Sequence, residues 1–217
     1  MEIEIKGETL TLFAERAAFW HRERALLIAD PHWGKAATFR AGGIPVPSGT
    51  TSEAIDRLES LVKKTDSKKV FFLGDLLHAK PGRSREMFNA LDIWKRKHAE
   101  IDVTLVRGNH DKRAGDPPPE LQFNCVDAPL HIAPFILAHH PHSHPEGYVL
   151  AGHVHPGVRL YGPAKQRERL PCFVFGTDFG ILPAFGDFTG LGDIEQNEAT
   201  TIYAIAEDSV VLVSSWY

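Results

Sequence analysis

The sequence lacks any apolar run long enough to cross a membrane, and its amino terminus lacks the pattern of a secretory signal. A signal peptide begins with basic residues followed by a long apolar centre, whereas this sequence begins with the acidic residues Glu2 and Glu4. Cysteine is scarce: Cys125 and Cys172 have no CxxC spacing and lie in apolar, strand-like segments. We therefore expect a cytoplasmic protein without membrane contact whose two thiols are buried and reduced, a disulfide being the less favoured alternative.

An excess of positive charge is also missing. The chain has 24 Lys and Arg against 28 Asp and Glu, a formal net charge of −4. This balance provides no global attraction to nucleic acid, so such a partner would have to be held by a local basic patch. No linker, internal repeat or low-complexity segment divides the sequence, and 217 residues suffice for one large α/β domain spanning residues 1–217.

What the sequence does contain is four polar stretches, each directly after a short apolar run rich in β-branched or aromatic residues. The runs, residues 25–29, 70–73, 103–106 and 148–151, are typical of buried strands. The stretches that follow them contain Asp30 and His32; Gly74, Asp75 and His78; Gly108, Asn109, His110 and Asp111; and Gly152, His153 and His155. Carboxylate, imidazole and amide groups are ligands for Mn²⁺, Fe or Zn²⁺, and several aimed at one point need a cation. The pattern predicts a metal site at the carboxyl ends of strands.

The segments between these runs predict the rest of the fold. Residues 1–5, 10–13 and 17–20 favour an antiparallel meander, and helical periodicity marks two helices, one from Ser52 and one around Met87 to Trp94. Residues 36–49, rich in glycine and proline, predict an ordered loop that is either a surface crossover or a substrate contact. Residues 158–161, 173–175, 201–206 and 210–214 predict closing strands of a second sheet.

Histidine is concentrated in one region: six of the 12 lie between positions 139 and 155. His153 and His155 alternate, which in an extended strand places both rings on one side. For His140, His142 and His144 we favour a polar loop with incidental histidines.

The ordered set of motifs D-x-H, G-D-x-x-H, G-N-H-D, a lone strand-end His and G-H-x-H, between positions 30 and 155, resembles the calcineurin-like metallophosphoesterase superfamily. Residues 30–35, 39–47 and 151–156 resemble more narrowly the bacterial ligase-associated DNA-repair nucleases called PdeM. The resemblance implies a four-layer αββα sandwich of two mixed β-sheets flanked by helices. It also implies manganese-dependent cleavage of DNA phosphodiesters, alongside an Lhr-type helicase, an exonuclease and a DNA ligase.

The resemblance further implies two divalent ions, with manganese favoured and iron or zinc as alternatives. Its pattern assigns metal one to Asp30, His32, Asp75 and His155, and metal two to Asp75, Asn109, His139 and His153. Asp75 would bridge the ions. His139 is preferred to His140 because it is the first histidine after the apolar run, but the choice stays open at this point.

Three further residues are candidates for catalysis. By resemblance, His110 would meet charge on the phosphate or protonate the leaving oxygen, with Asp111 orienting its ring; the alternative is a purely supporting imidazole. His78 is placed near Asp75, either supporting a ligand or contacting phosphate.

Basic side chains in or after the site-bearing loops are candidates for substrate binding: Lys35, Arg40, Arg83 and Arg107. Solvated surface charge is the alternative for each. Trp33, beside a candidate ligand, either stacks on a base or packs in the core.

These observations favour an enzyme, a two-metal DNA phosphodiesterase or endonuclease acting in DNA repair. One alternative is a small-molecule phosphoesterase acting on a nucleotide or cyclic nucleotide. Another is a non-catalytic scaffold that binds helicase or ligase partners. A scaffold would be expected to lack metal ligands, and every position of the ordered set is filled.

Overall fold

A computed structural model describes residues 1–46, 50–161, 167–187, 189–194 and 198–213 of the chain. Its first sheet has seven strands, which lie side by side in chain order. They are β1 (Glu2–Ile5), β2 (Glu8–Phe13), β3 (Ala17–Trp20), β4 (Ala25–Ile28), β5 (Lys69–Leu73), β6 (Asp102–Val106) and β7 (Asn124–Val126). The pairs from β1 to β4 are antiparallel and those from β4 to β7 are parallel. The predicted opening meander is confirmed.

In the described part of the chain, four α-helices accompany this sheet: α1 (Lys35–Ala41), α2 (Thr50–Thr65), α3 (Arg85–Lys97) and α4 (Asn109–Ala114). The apolar faces of α2 and α3 cover the sheet, with Leu58 and Leu91 packed in one buried cluster with Phe72. The Ser84 hydroxyl caps α3 by accepting a hydrogen bond from the Met87 amide at 3.1 Å.

Helix α1 contradicts the first part, residues 36–41, of the ordered loop predicted over residues 36–49. Residues 35–41 contain neither glycine nor proline, and the residues that suggested a loop all follow Ala41. Local helix propensity therefore prevails up to Gly42, which ends the helix. Residues 47–49 lie outside the described part of the chain.

The second sheet has nine strands: β8 (Leu130–Ile132), β9 (Phe135–Leu137), β10 (Tyr148–Ala151), β11 (Pro156–Tyr161), β12 (Arg167–Phe175), β13 (Phe179–Ile181), β14 (Gly192–Asp193), β15 (Thr201–Ala206) and β16 (Ser209–Leu212). The strand order is β14-β11-β12-β13-β10-β9-β8, with β15 paired to β12 and β16 to β15. Its pairs are of both kinds: β9, β10 and β13 are parallel, whereas β12 pairs antiparallel with β11. The predicted closing strands are present, though β16 ends at Leu212 and residue 214 lies outside the described chain.

The two sheets pack face to face, and Leu27 and Phe71 of the first meet Phe135 and Phe173 of the second in a shared core. The expected pair of mixed sheets with flanking helices is confirmed. On the second sheet's other face, alternate side chains such as Cys172 form a separate apolar cluster to which no described helix contributes. Among the described residues, the regular elements beyond residue 121 are all strands.

Two smaller expectations are also tested by the structure. Cys125 and Cys172 are both free thiols, so no disulfide joins them. Among the described residues, none of the helices combines the length and the apolar character that a membrane crossing requires.

Candidate metal centre

The centre lies where parallel strands of both sheets end. Asp30 follows β4, Asp75 follows β5 and Asn109 follows β6, all at the same edge of the first sheet. His139 follows β9, and His153 and His155 follow β10, at the corresponding edge of the second sheet. Parallel neighbours end at the same side, which is why residues far apart in sequence meet here.

One half of the centre is formed by Asp30, His32, Asp75 and His155. The Nε2 atoms of His32 and His155 are 3.3 Å apart, and His155 Nε2 is 3.7 Å from Asp30 Oδ2. His32 Nε2 is 3.9 Å from Asp75 Oδ2. Both imidazoles and both carboxylates therefore face one small volume, as ligands of a shared cation do.

The other half is formed by Asp75, Asn109, His139 and His153. His139 Nε2 lies 3.0 Å from Asn109 Oδ1, 3.1 Å from His153 Nδ1 and 3.4 Å from Asp75 Oδ2. Because Asp75 Oδ2 faces both halves, Asp75 occupies the position expected of a bridging ligand.

The structure also separates His139 from His140. The His139 ring is 1% exposed and lies among the other ligands, whereas His140 is exposed and packs on the His153 ring with centroids 4.0 Å apart. Burial at the end of β9 is the signal that distinguishes these adjacent histidines, and it favours His139 as the ligand.

Backbone amides orient the two buried carboxylates. The His153 amide donates to Asp30 Oδ2 at 2.7 Å, and the His110 amide donates to Asp75 Oδ1 at 2.8 Å. One oxygen of each carboxylate is thereby held, while Asp75 Oδ2 stays directed at the imidazoles. The buried Asp30 Oδ1 has no hydrogen-bond partner.

The electrostatics of these residues fit a divalent cation. Burial raises the pKa of Asp30 to about 8, although the neighbouring His139 opposes this, and burial lowers the pKa of His32 to about 2. Burial also disfavours the charge of Asp75, but the hydrogen bond and charge of His139 hold its pKa at about 2. A buried carboxylate without a full set of partners and neutral imidazoles beside it are satisfied together by a bound cation.

Five candidate ligands have left-handed backbone conformations, which are uncommon for residues other than glycine. Their φ values are 50° for Asp30, 47° for His32, 50° for Asp75, 68° for His153 and 50° for His155. Such residues cost of order 1–3 kcal/mol each and persist where the surrounding structure holds them, typically at functional sites. The backbone conformations that direct these five side chains toward the centre therefore lower the stability of the folded protein.

The same conformations correct our prediction for His153 and His155. The two residues are not in an extended strand, because β10 ends at Ala151 and both have positive φ. Their rings also serve different halves of the centre: His155 faces Asp30 and His32, whereas His153 lies beside His139.

Glycines in three motifs make room for ligands that belong to other motifs. A Cβ atom on Gly74 would lie 2.1 Å from His139 Nδ1, one on Gly108 would lie 2.2 Å from Asp75 Oδ1, and one on Gly152 would lie 2.4 Å from Asp30 Oδ2. Gly74 also has a φ of +82°, a backbone conformation that glycine adopts without strain and that lets the chain turn tightly before Asp75. The roles of Gly108 and Gly152 were missed by sequence reasoning, although each stands in a motif.

His110 and His78 stack beside the centre, with centroids 5.0 Å apart and an interplanar angle of 21°. His110 Nδ1 is 2.7 Å from the His78 carbonyl oxygen, which can only accept, so Nδ1 carries the proton and Nε2 faces Asp75. The prediction that Asp111 orients this ring is wrong. The Asp111 carboxylate instead accepts hydrogen bonds from the amides of Leu77 and Gly108, at 3.2 and 2.9 Å, and so fixes the loops that carry the ligands.

The four candidate substrate-binding residues differ in setting. Lys35 is half-buried and close to the centre: the pKa values of His32, His78 and His155 are lowered first by burial and further by its positive charge. Arg40 is exposed at the end of α1 and donates to the Val46 carbonyl at 3.4 Å.

The guanidinium groups of Arg83 and Arg107 already have protein partners. Arg107 contacts the Asp116 carboxylate with two nitrogens, at 2.8 and 2.7 Å, and Asp127 at 3.3 Å. Arg83 donates to the carbonyls of residues 114, 115 and 116. The positive charge of Arg107 is thus offset by two carboxylates, which weakens its attraction for a phosphate backbone. Trp33 is 2% exposed and packs on Phe72, so it belongs to the core.

Comparisons with known proteins show similarity in sequence and in structure. The sequence model of the calcineurin-like phosphoesterase family matches residues 23–153. The crystal structure of the Pseudomonas putida nuclease MPE has 40% sequence identity, covers 98% of this chain and 99% of its own, and has a TM-score of 0.88. Yfce, a phosphoesterase from E. coli, is 14% identical over 87% of this chain and 97% of its own; its TM-score of 0.42 is too low to carry an argument. No curated protein sequence matches the chain significantly.

Proposed function

The chain belongs to the calcineurin-like phosphoesterase family of metal-dependent phosphoester hydrolases, and from this premise we propose that it is a two-metal endonuclease that cleaves DNA phosphodiesters. The observation that carries the nuclease assignment is the likeness to the Pseudomonas putida nuclease along the whole chain, at 40% identity. The complete set of candidate ligands at the strand ends supports catalysis over a scaffold role.

The proposal of two ions rests on the position of Asp75. Its Oδ2 atom lies 3.9 Å from His32 and 3.4 Å from His139, and each of these histidines has its own further partners. We assign one ion to Asp30, His32, Asp75 and His155, and the second to Asp75, Asn109, His139 and His153. Manganese is the proposed metal, with iron and zinc as alternatives of similar ligand preference.

The ions would supply a water of lowered pKa and neutralise charge on the phosphate. The residues of the chain hold the ligands in position and control proton transfer. The amides of His153 and His110 hold Asp30 and Asp75 in place, and the Asp111 carboxylate anchors the adjoining loops. Preorganised groups of this kind need not rearrange as charge develops on the phosphate.

His110 is proposed to donate a proton to the departing oxygen. His110 Nδ1 donates a hydrogen bond to the His78 carbonyl oxygen. Nε2 is therefore the nitrogen that points toward the centre, 4.0 Å from Asp75 Oδ2. When the ring is protonated, Nε2–H is available to a leaving deoxyribose oxygen, which as an alkoxide needs a proton. The stacked His78 ring and its carbonyl keep His110 in this orientation.

Lys35 is proposed to contact the phosphate backbone, because it lies near the half of the centre formed by His32 and His155. Arg40 extends this basic region along α1. Arg83 and Arg107 are assigned weaker roles, since their guanidinium groups are engaged by carbonyls and carboxylates. A local contact of this kind is needed because the net charge is −4.

The biological setting is proposed from the motif resemblance. Residues 30–35, 39–47 and 151–156 resemble the ligase-associated DNA-repair nucleases, which supports action in DNA repair in the cytoplasm with an Lhr-type helicase, an exonuclease and a DNA ligase as partners.

The test is an assay of the purified protein with Mn²⁺ on single-stranded, duplex and covalently closed circular DNA, beside cyclic nucleotides and phosphomonoesters. We expect cleavage of DNA, including opening of the circle, which requires an internal cut. Asp75→Asn serves as the inactive variant and Asp92→Asn, a half-buried carboxylate on α3 that pairs with Arg96, as the matched control. Hydrolysis of cyclic nucleotides or monoesters without any cleavage of DNA would refute the endonuclease and establish a small-molecule phosphoesterase.

A further inference from the structure

A second group of metal-ligating side chains lies outside the centre. His131 is on β8, and His144 and Glu146 are in the loop between β9 and β10. One ligand atom from each of these three residues lies within 4.8 Å of the others. Among the described residues, this is the one such group that contains no candidate ligand of the catalytic centre and neither His78 nor His110.

The contacts within this group converge on one point. His131 Nδ1 lies 3.3 Å from Glu146 Oε2, and the His131 and His144 ring centroids are 5.1 Å apart. The Glu146 amide donates to His144 Nδ1 at 3.2 Å, so the turn is ordered around the ring. An ion would take the Nδ1 lone pair in place of this bond, or Nε2 after a tautomer change.

We propose that His131, His144 and Glu146 form a second metal site that takes a Zn²⁺-type divalent ion. Two imidazoles and one carboxylate, with water in the remaining position, are a known zinc ligand set. The His142 ring, whose centroid is 6.0 Å from that of His144, is near enough to provide a further ligand after a rotamer change. A simple ion pair would account for His131 and Glu146 but not for the second imidazole.

The position of the site suggests what the ion does. His139, the buried candidate ligand of the catalytic centre, opens the loop in which His144 and Glu146 lie. An ion held by these two residues and by His131 would tie that loop to β8. It would therefore restrain the chain that follows His139 without touching the catalytic ligands.

The test measures bound metal in a protein whose catalytic centre is disabled. Equilibrium dialysis of Asp75→Ala against Zn²⁺ should show one ion that depends on the second site, and Co²⁺ should give an absorption spectrum of imidazole and carboxylate ligation. Adding His131→Ala should weaken this binding by at least the roughly 10–100-fold that loss of even a supporting residue costs in metal affinity. Glu146→Gln should act in the same direction. His21→Ala is the matched control. His21 also lies beside a carboxylate, 4.0 Å from Glu2, but among the described residues it belongs to no group of potential metal ligands.

A second readout does not depend on counting ions. Zn²⁺ should raise the melting temperature of Asp75→Ala and of its His21→Ala derivative, but much less that of its His131→Ala derivative. His131→Ala alone should keep normal Mn²⁺-dependent activity. Equal Zn²⁺ affinity and equal thermal shifts with and without His131 would overturn the proposal, whatever the substrate of the catalytic centre proves to be.

Discussion

Gly108→Ala should disable the centre without replacing any ligand. The φ of Gly108 is −93°, which alanine adopts readily, so the substitution introduces a steric change and no backbone strain. The new Cβ would lie 2.2 Å from Asp75 Oδ1 and 2.6 Å from the Asp75 amide nitrogen. Since non-bonded contacts lie near 3.5 Å, the Asp75 carboxylate and the Gly108 backbone must separate by about 1 Å.

The size of the effect follows from this displacement. Asp75 would lose the geometry that lets Oδ2 face both His32 and His139. A misplacement of about 1 Å typically costs on the order of 100-fold in rate, and overpacking costs about 1–3 kcal/mol of stability. We expect a fall of that order in Mn²⁺-dependent hydrolysis, together with weaker metal binding.

The assay compares Gly108→Ala with Gly190→Ala, in which the added Cβ meets nothing within 4 Å. Hydrolysis of bis(nitrophenyl) phosphate, metal content after dialysis and thermal unfolding are measured on both variants. The expected result is loss of activity and metal in Gly108→Ala only, with the fold retained. Full activity and metal content in Gly108→Ala would refute the steric reasoning and with it the placement of Asp75 against this loop.

Four further predictions concern single side chains. Asp75→Ala should empty both metal sites, whereas His155→Ala should mainly weaken one, as elemental analysis will show. His110→Ala should lower DNA cleavage by on the order of 10²–10⁴ but hydrolysis of bis(nitrophenyl) phosphate far less, with metal content unchanged, because a nitrophenolate needs little protonation. Lys35→Ala should weaken DNA binding and reduce the slope of log affinity against log salt by about one. Glu59→Gln should lower the free energy of unfolding by about 1–2 kcal/mol at neutral pH, allowing for screening of its exposed lysine partners.

The pH dependence of the Glu59 contribution has a defined sign. Burial opposes its charge, but hydrogen bonds from Lys97, Lys63 and His98 hold the pKa of Glu59 at about 2, against 4.5 in the unfolded chain. Because the folded pKa is depressed, the stabilisation is present above pH 4.5 and is lost as pH falls toward 2. Acid unfolding curves of wild type and Glu59→Gln should therefore converge in this range.

Controls and contrary outcomes differ among these predictions. Retention of two tightly bound metals by Asp75→Ala would refute the assignment of Asp75 as the bridging ligand. Equal losses on both substrates in His110→Ala would indicate stabilisation of phosphate charge instead of proton transfer. Lys68→Ala, an exposed lysine paired with Asp66, should leave the salt slope unchanged. A Glu59→Gln difference that persists undiminished at pH 2 would contradict the linkage.

The central strands and the two main helices could be predicted from sequence because their signals are local. Residues 70–73 and 103–106 are short apolar runs, and each lies within an observed strand. The periodicity around Met87 and Trp94 marks α3. Helix α1 was missed because glycines and prolines dominated the window of residues 36–49, although all but the first residue of α1 lie in it.

Contacts between distant residues were predicted less well. The Arg107 guanidinium was expected to attract a phosphate backbone, but it meets Asp116 and Asp127, which only the folded chain brings together. Asp111 was expected to orient its neighbour His110. Its position in the first turn of α4 instead directs the Asp111 carboxylate to the backbone amides of Leu77 and Gly108. Neighbours in sequence need not face each other, because side-chain direction depends on local backbone geometry.

The sequence by itself determined which residue types stand at the ends of buried strands, because hydrophobic periodicity and the motif residues are local properties of the chain. It thereby indicated the ligand types and the chemistry that they support. Only the tertiary structure decided which side chains converge: that Asp75 faces both His32 and His139, that His139 is buried while His140 is exposed, and that Gly108 must lack a side chain. The physical reason is that these relations depend on how the two sheets pack face to face and on left-handed backbone conformations, neither of which a one-dimensional pattern specifies.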